Sequence, residues 1–221
     1  MSLHEAMKER HTVRKYTDIP LSDVLENRLI ERVEENNARF NLHIRLIENN
    51  GIVLPFLTRI FVSKGVRNFF LLSGKDCPAL EENLGYSGAD LMLYAQTLGL
   101  NTWWIGGTYK RKVCEKLALQ GNKVIGIIAV GYGKTEGKPH RSKKPEQVSF
   151  YNGTEPEWFR QGVEAALLAP TAMNRQAFFI KGEGNQVSIV SKGGIYQGAD
   201  LGLVKYHFSL GAGNKNFVWK P

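Results

Sequence analysis

The octapeptide Tyr86-Ser-Gly-Ala-Asp-Leu-Met-Leu93 returns 110 residues later as Tyr196-Gln-Gly-Ala-Asp-Leu-Gly-Leu203. The tyrosine, glycine, alanine, aspartate and both outer leucines keep their places, and Leu100 and Leu210 hold the same offset further on. Chance rarely produces such a match, and it favours folds that use one strand-turn-helix unit twice. Each copy reads as a helix: Ala89, Leu93, Gln96 and Leu100 follow helical spacing in the first, and small residues early in both permit close packing. Each also follows a short run suited to a pleated surface, Phe69-Phe-Leu-Leu-Ser73 in one half and Val187-Ser-Ile-Val-Ser191 in the other.

A second pair of segments has diverged further. Leu25, Leu29 and Val33 mark a helix beginning near Ser22, with the strand candidate Phe40-Asn-Leu-His-Ile-Arg-Leu-Ile47 after it. Thr154-Glu-Pro-Glu157 reads as a capping box that opens a helix with Phe159, Val163 and Leu167 on one face. That helix ends at Pro170 and the strand candidate Phe178-Phe-Ile180 follows. Taken alone, such helix-strand pairs recur in any α/β protein. Beside the octapeptide match they read as two related halves, residues 1–150 and 151–221. A loop-like linker, Gly131 to Pro145, separates the strand Val124-Ile-Gly-Ile-Ile-Ala-Val130 from the second half. Fused similar halves mimic a two-fold dimer, so a ligand site is expected between them.

The totals narrow the function. With 43% apolar residues, 221 residues can bury a substantial core as one large domain or two small ones. No uncharged apolar run reaches about 18 residues, and the N-terminus lacks the apolar core of a signal peptide, so the expectation is a cytoplasmic protein with no membrane partner. Cys77 and Cys114 form no C-x-x-C pair and read as reduced thiols, and the five histidines show no metal-ligand spacing, so no metal is expected. A net charge of +8 invites an anionic partner. The basic residues are scattered, without a recognition-helix pattern or aromatic interleaving, which argues against nucleic acid and leaves a phosphorylated ligand.

Arg10-His-Thr-Val-Arg14 concentrates two guanidinium groups, a hydroxyl and an imidazole. Planar guanidinium donors can hold two phosphate oxygens together, although the same stretch, read alone, also suits a solvated basic helix face. Gly131-Tyr-Gly133 lacks the full glycine pattern of a dinucleotide fingerprint, and no helix evidently follows it.

Here the chain resembles the nitroreductase family, FMN enzymes whose N-terminal helix carries a motif matched by Arg10, His11, Thr12 and Arg14. Gly99-Leu-Asn-Thr-Trp-Trp-Ile-Gly-Gly107 is similar to the family's glycine-tryptophan segment. Val124 to Gly131 resembles its strand ending in Gly-Tyr, and Arg141-Ser-Lys-Lys-Pro145 its basic tail. Ala169-Pro-Thr-Ala-Met-Asn-Arg-Gln176 is similar to a loop that the family carries soon after its first helix, displaced here into the second half. The place it would occupy holds Arg32-Val-Glu-Glu-Asn-Asn-Ala-Arg-Phe40 instead.

The resemblance implies an α+β fold, a mainly antiparallel sheet flanked by helices, arranged as a pseudo-dimer in one chain. Family members pair two subunits around FMN, so the second half would stand in for the partner. On that reading Arg10, Arg141 and Lys143 meet the phosphate and Thr12 a neighbouring oxygen, with His11 as a further cofactor contact rather than an acid or base. Arg14 faces the pyrimidine edge, where a cation stabilises the charge of reduced flavin. The backbone of Ile105, Gly106 and Gly107 lines the hydride-accepting face. Trp104 joins them, or Trp103 and Trp104 are core aromatics. Pro170, Thr171, Ala172 and Asn174 complete the pocket from the second half. The mirror-image site has lost its residues, so one tightly bound FMN per chain is expected. The implied reaction is ping-pong: NAD(P)H as co-substrate reduces FMN and leaves, and a nitroaromatic, quinone or similar small-molecule acceptor takes the electrons. No protein side chain is named as catalytic, because hydride transfer needs alignment and electrostatics more than a proton donor. The alternative is an FMN-binding or sensing protein without nicotinamide-dependent turnover.

Overall fold

A computed structural model describes residues 1–220. The chain runs α1 (Leu3–Glu9), α2 (Asp23–Phe40), β1 (Arg45–Ile47), β2 (Asn68–Lys75), α3 (Leu80–Thr97), β3 (Asn101–Ile105), α4 (Arg111–Leu117) and β4 (Asn122–Gly131). It continues through β5 (Ser149–Asn152), α5 (Glu157–Ala166), β6 (Phe178–Glu183), β7 (Gln186–Ser191), α6 (Gln197–Ala212) and β8 (Val218–Trp219). The fold is α+β, as the resemblance implies.

The first sheet has the order β1-β2-β4-β3 and is antiparallel throughout. Its central strands read as unbroken apolar runs because both faces are covered, and the two-residue period sorts their side chains. Phe70, Leu72, Ile128 and Val130 join the cluster that contains Leu84, Leu91 and Leu93 of α3. Phe69, Leu71, Ile127 and Ala129 point the other way, into a separate cluster with Cys114 of α4 and Val53 and Leu54 of the β1–β2 connection. The second sheet, β5-β6-β7-β8, is mixed: β5 runs parallel to β6, β6 antiparallel to β7, and β7 parallel to β8.

Helices α3 and α6 carry the repeated octapeptide and cross between the sheets, closer than ordinary side chains allow. A Cβ on Gly202 of α6 would lie 2.0 Å from the Glu82 carbonyl oxygen, and one on Gly85 of α3 would lie 2.2 Å from the Ala199 carbonyl oxygen. Backbone packs on backbone at this crossing. Around it, Phe159 and Val163 of α5, Phe178 and Ile180 of β6, and Phe208 of α6 belong to the same hydrophobic cluster as the α3 side of the first sheet. Residues 151–220 therefore share a core with the residues before them.

Local expectations are met at α2, where the Ser22 side chain accepts from the Leu25 amide, and at the strands β2, β4, β6 and β7. Three differ. Strand β1 is only Arg45–Ile47, because α2 runs on to Phe40 and stops where Asn41 adopts a left-handed conformation with φ 52°. The Thr154 capping box does not form: proline bars Glu155 from helical geometry, so α5 begins at Glu157 with Pro156 as an extended N-cap and no side-chain cap. Helix α5 also ends early. The amides of Leu168 and Ala169 turn back to Ala165 and Ala166, which leaves the Leu167 carbonyl free for other donors.

The crossing supplies a test of the fold. Gly202→Ala should lower the urea midpoint by an amount equivalent to roughly 1–3 kcal/mol, as overpacking against unyielding backbone does, with an unchanged denaturant slope. A midpoint shift of only a few tenths of a kcal/mol would show that the helices do not pack this closely.

Candidate functional site

Helix α1 ends at Glu9, so the 10–14 stretch is not a solvated helix face. Arg10 is its C-cap, in extended conformation. From there the backbone is stitched between three elements. Thr12 bridges Thr102 of β3, the Tyr16 amide donates to the Lys64 carbonyl, and the Thr17 amide donates to the Tyr132 carbonyl beyond β4. This threading fixes which side chains turn inward.

They face a cavity of about 830 Å³ whose walls include Arg10, His11, Thr12 and Arg14, then Trp104 and Gly106 at the end of β3, and Pro170, Thr171, Ala172 and Asn174 after α5. Residues 160 positions apart in the chain thus share one wall. Ten of the fourteen positions expected at a cofactor site stand here. Of the other four, Ile105 is buried in the core beneath the cavity, and Gly107 lies one residue beyond Gly106 without lining it. Arg141 and Lys143 are the substantive departure.

Neither Arg141 nor Lys143 lines the cavity. Their segment instead ties down the loop after α5. The Lys143 ammonium donates to the Gln176 carbonyl at 2.9 Å, the Lys143 amide donates to Gln176 Oε1 at 2.7 Å, and the Asn174 side chain donates to the Arg141 carbonyl at 2.7 Å. Earlier residues of the same linker, Lys138 and His140, line the cavity in their stead. His140 and Gln176 both use the Leu167 carbonyl that the early end of α5 sets free.

The loop that this bracing holds is strained. Met173, Asn174 and Gln176 all have positive φ, 51°, 52° and 45°, where non-glycine residues are uncommon. Such strain persists only where surrounding contacts over-determine it, and it concentrates at binding sites. Here the contacts are Thr171 Oγ1 accepting from the Gln176 amide and Asp200 accepting from the Ala172 amide at 2.9 Å.

Electrostatics mark the two ends. Arg10 is only 5% exposed, and its Nη1 has no hydrogen-bond partner. Burial lowers its pKa to about 10, which still leaves it cationic at neutral pH. Arg10 lines the cavity as a buried cation, and a buried charged donor without a partner costs free energy until it is paired. Arg14 lies at the surface with its guanidinium 5.5 Å from the Trp103 ring centroid. Trp103 and Trp104 each pack with a core cluster and line the cavity.

Two lining residues, Tyr196 and Asp200, were visible in the sequence only as members of the repeat. They stand one turn apart at the start of α6, where i and i+4 share a face. The Tyr196 ring occupies the space that the missing side chains of Gly106 and Gly107 leave: Cβ atoms there would lie 2.9 Å and 2.4 Å from it. Asp200 and its counterpart Asp90 have opposite surroundings. Asp90 receives a two-pronged guanidinium from Arg32, the Asn36 amide and the Tyr206 hydroxyl. Asp200 has the Ala172 amide and no cation, and burial raises its pKa to about 6.

Ionised Asp200 therefore opposes folding. Its contribution is favourable below the unfolded value of 3.8 and is lost as pH rises through about 6. Asp200→Asn keeps a carbonyl for Ala172 and should stabilise the protein at pH 8 by on the order of 1–3 kcal/mol. That gain should vanish near pH 4 in thermal melts. Equal effects at both pH values would mean that the carboxyl is not strained by burial.

Comparison with known proteins gives the family. A family model described as "Putative TM nitroreductase" matches residues 2–212. A search of curated proteins gives no match. Among solved structures, a "putative nitroreductase" from Thermotoga maritima is 20% identical with a TM-score of 0.67, over 95% of this chain and 83% of that one. An FMN-dependent nitroreductase from Clostridium difficile is 17% identical with a TM-score of 0.54, over 67% of this chain and 98% of its own. A "putative nitroreductase" in complex with FMN from Desulfovibrio desulfuricans is 18% identical with a TM-score of 0.52, over 67% and 95%. At these identities the likeness is one of fold, and the match of the family model along nearly the whole chain carries the assignment: the chain belongs to the nitroreductase family.

Proposed function

We propose that the chain is an FMN-dependent oxidoreductase that binds one FMN in the cavity between its halves. In this reading it passes electrons from NAD(P)H to nitroaromatics, quinones or similar electron-poor acceptors in a ping-pong reaction. The observation that carries the reading is the convergence of the 10–14 stretch, the end of β3 and the 170–174 loop on one cavity, with the buried Arg10 cation among its lining residues. A volume of about 830 Å³ falls within the usual range of cofactor pockets. Nitroreductase structures that carry FMN share the fold.

The residues fit such a cofactor in parts. Arg10 and Lys138 would hold the phosphate, with His11 and Thr12 beside them. Gly106 and the Trp104 ring would flank the ring system. Arg14 would stand at the pyrimidine edge, and Pro170, Thr171, Ala172 and Asn174 would close the site from the second half. Bound there, FMN supplies two-electron redox chemistry that no side chain of the protein carries. The protein contributes position and field: cations at the anionic end, a braced loop that limits ring movement, and aromatic walls that exclude water. We assign Arg141 and Lys143 to bracing the loop rather than to the phosphate.

One site per chain follows from the two halves having diverged, which we also propose. Aligning Leu29 and Val33 with Val163 and Leu167 puts Asn36 and Asn37 where Pro170 and Thr171 stand in the second half. There α2 continues as helix, and Arg32 and Asn36 occupy Asp90. A loop that could receive a second flavin is absent from that position.

The purified protein should be yellow and should bleach with NADH or NADPH under anaerobic conditions. A yellow protein indifferent to both nucleotides would favour the binding or sensing alternative. Arg10→Ala should weaken flavin binding roughly 10- to 150-fold, the value of about 1.5–3 kcal/mol for a hydrogen bond to a charged group. Lys138→Ala, at an exposed position, should weaken it without affecting folding. Full flavin affinity in both variants would remove the phosphate assignment.

A further inference from the structure

The connection between β1 and β2 carries a surface that the flavin site does not use. Residues 55–63 form a tight, partly π-helical turn, closed by the Arg59 amide on the Pro55 carbonyl and the Ser63 amide on the Thr58 carbonyl. Thr58 and Ser63 point inward and are buried. The apolar side chains are consequently held outward: Phe56 is 70% exposed, Leu57 65% and Phe61 79%, with Ile52, Ile60 and Val62 exposed beside them. Soluble proteins seldom leave so contiguous an apolar surface uncovered without a partner for it.

The charges around this surface are predominantly positive. Between Glu48 and Asp76 the chain has no carboxylate. Arg59, Lys64 and Arg67 are exposed and line a cleft of about 410 Å³ with Phe56 and Ile60 at its rim. Asp18 is the single acidic residue on its wall, and its carbonyl accepts from the Arg67 guanidinium at 3.2 Å.

We propose that residues 52–67 dock the protein on a membrane surface bearing anionic lipid. Phe56, Leu57, Ile60 and Phe61 enter the boundary between headgroups and acyl chains, and Arg59, Lys64 and Arg67 meet lipid phosphates. Protruding aromatic and aliphatic side chains interleaved with cations are the chemistry of interfacial binding, which combines apolar burial with attraction to anionic headgroups. A second copy of the chain fits less well, because a two-fold contact sets the same patch against itself and would bring these cations together in a chain of net charge +8. The association is with the surface: among the described residues no helix is long and apolar enough to cross a membrane. The same segment ends at Val62 in the wall of the candidate flavin cavity, so docking brings that cavity to the lipid and an acceptor dissolved there within reach.

Flotation with vesicles tests this on the whole protein and does not depend on the flavin reading. Phosphatidylcholine vesicles containing phosphatidylglycerol should carry the protein up the gradient, phosphatidylcholine alone should carry much less, and about 1 M salt should release it. Phe56→Ser with Phe61→Ser should abolish flotation while flavin content and circular dichroism stay those of the parent. Arg59→Gln with Arg67→Gln should weaken partitioning about 30-fold, at about 1 kcal/mol per cation. Equal flotation by the two vesicle types, or none with either, would overturn the proposal. So would a concentration-dependent dimer in sedimentation velocity that Phe61→Ser dissolves while vesicles leave the protein unbound, since the surface would then belong to a second copy.

Discussion

The backbone-to-backbone crossing of α3 and α6 is the contact on which the rest of the structure depends. Gly85 and Gly202 let the helices approach until one lies against the carbonyls of the other. That approach joins the clusters of both sheets into one core and sets the start of α6 beside the end of β3. Tyr196 can then lie on Gly106 and Gly107, and Asp200 can reach the Ala172 amide. With bulkier residues at the crossing the sheets would separate, and the cavity, whose walls come from both sides of it, would lose its shape.

The repeated octapeptide made this frame legible. Its small residues predicted close packing, and its positions gave the right helices and the strands before them. The cavity wall was legible through motif resemblance at Arg10, Thr12, Gly106 and Pro170, because the resemblance there turns on residue type: a guanidinium, a hydroxyl, a missing side chain, a turn. Positions decided by long-range contacts were not legible. Nothing local to Arg141 and Lys143 says that their segment braces a loop rather than faces a phosphate, because that depends on Gln176 coming to meet them. The same holds for Thr154, whose capping pattern is overruled by proline two residues on, and for α2, whose run to Phe40 is favoured by Arg32 and Asn36 bonding to Asp90.

Asp90 and Asp200 show how one ancestral feature, under the proposed duplication, acquired two uses. The first is neutralised by Arg32 and hydrogen-bonded by Asn36 and Tyr206, which makes a satisfied polar network within the packed helices. The second keeps only a backbone partner, holds a strained loop in place and carries a raised pKa. Stability is given up at the second, as strain is where it is held by surrounding contacts.

The central claim is that the two halves close around a single flavin. It is tested most directly by titrating flavin-free protein with FMN and following both flavin fluorescence and the tryptophan emission, since Trp103 and Trp104 stand in the cavity wall. Both signals should be quenched with one break, at one FMN per chain. A break at two per chain would mean that the mirror-image site is intact, and flavin fluorescence that never breaks from that of the free cofactor would mean that the cavity is not a flavin site.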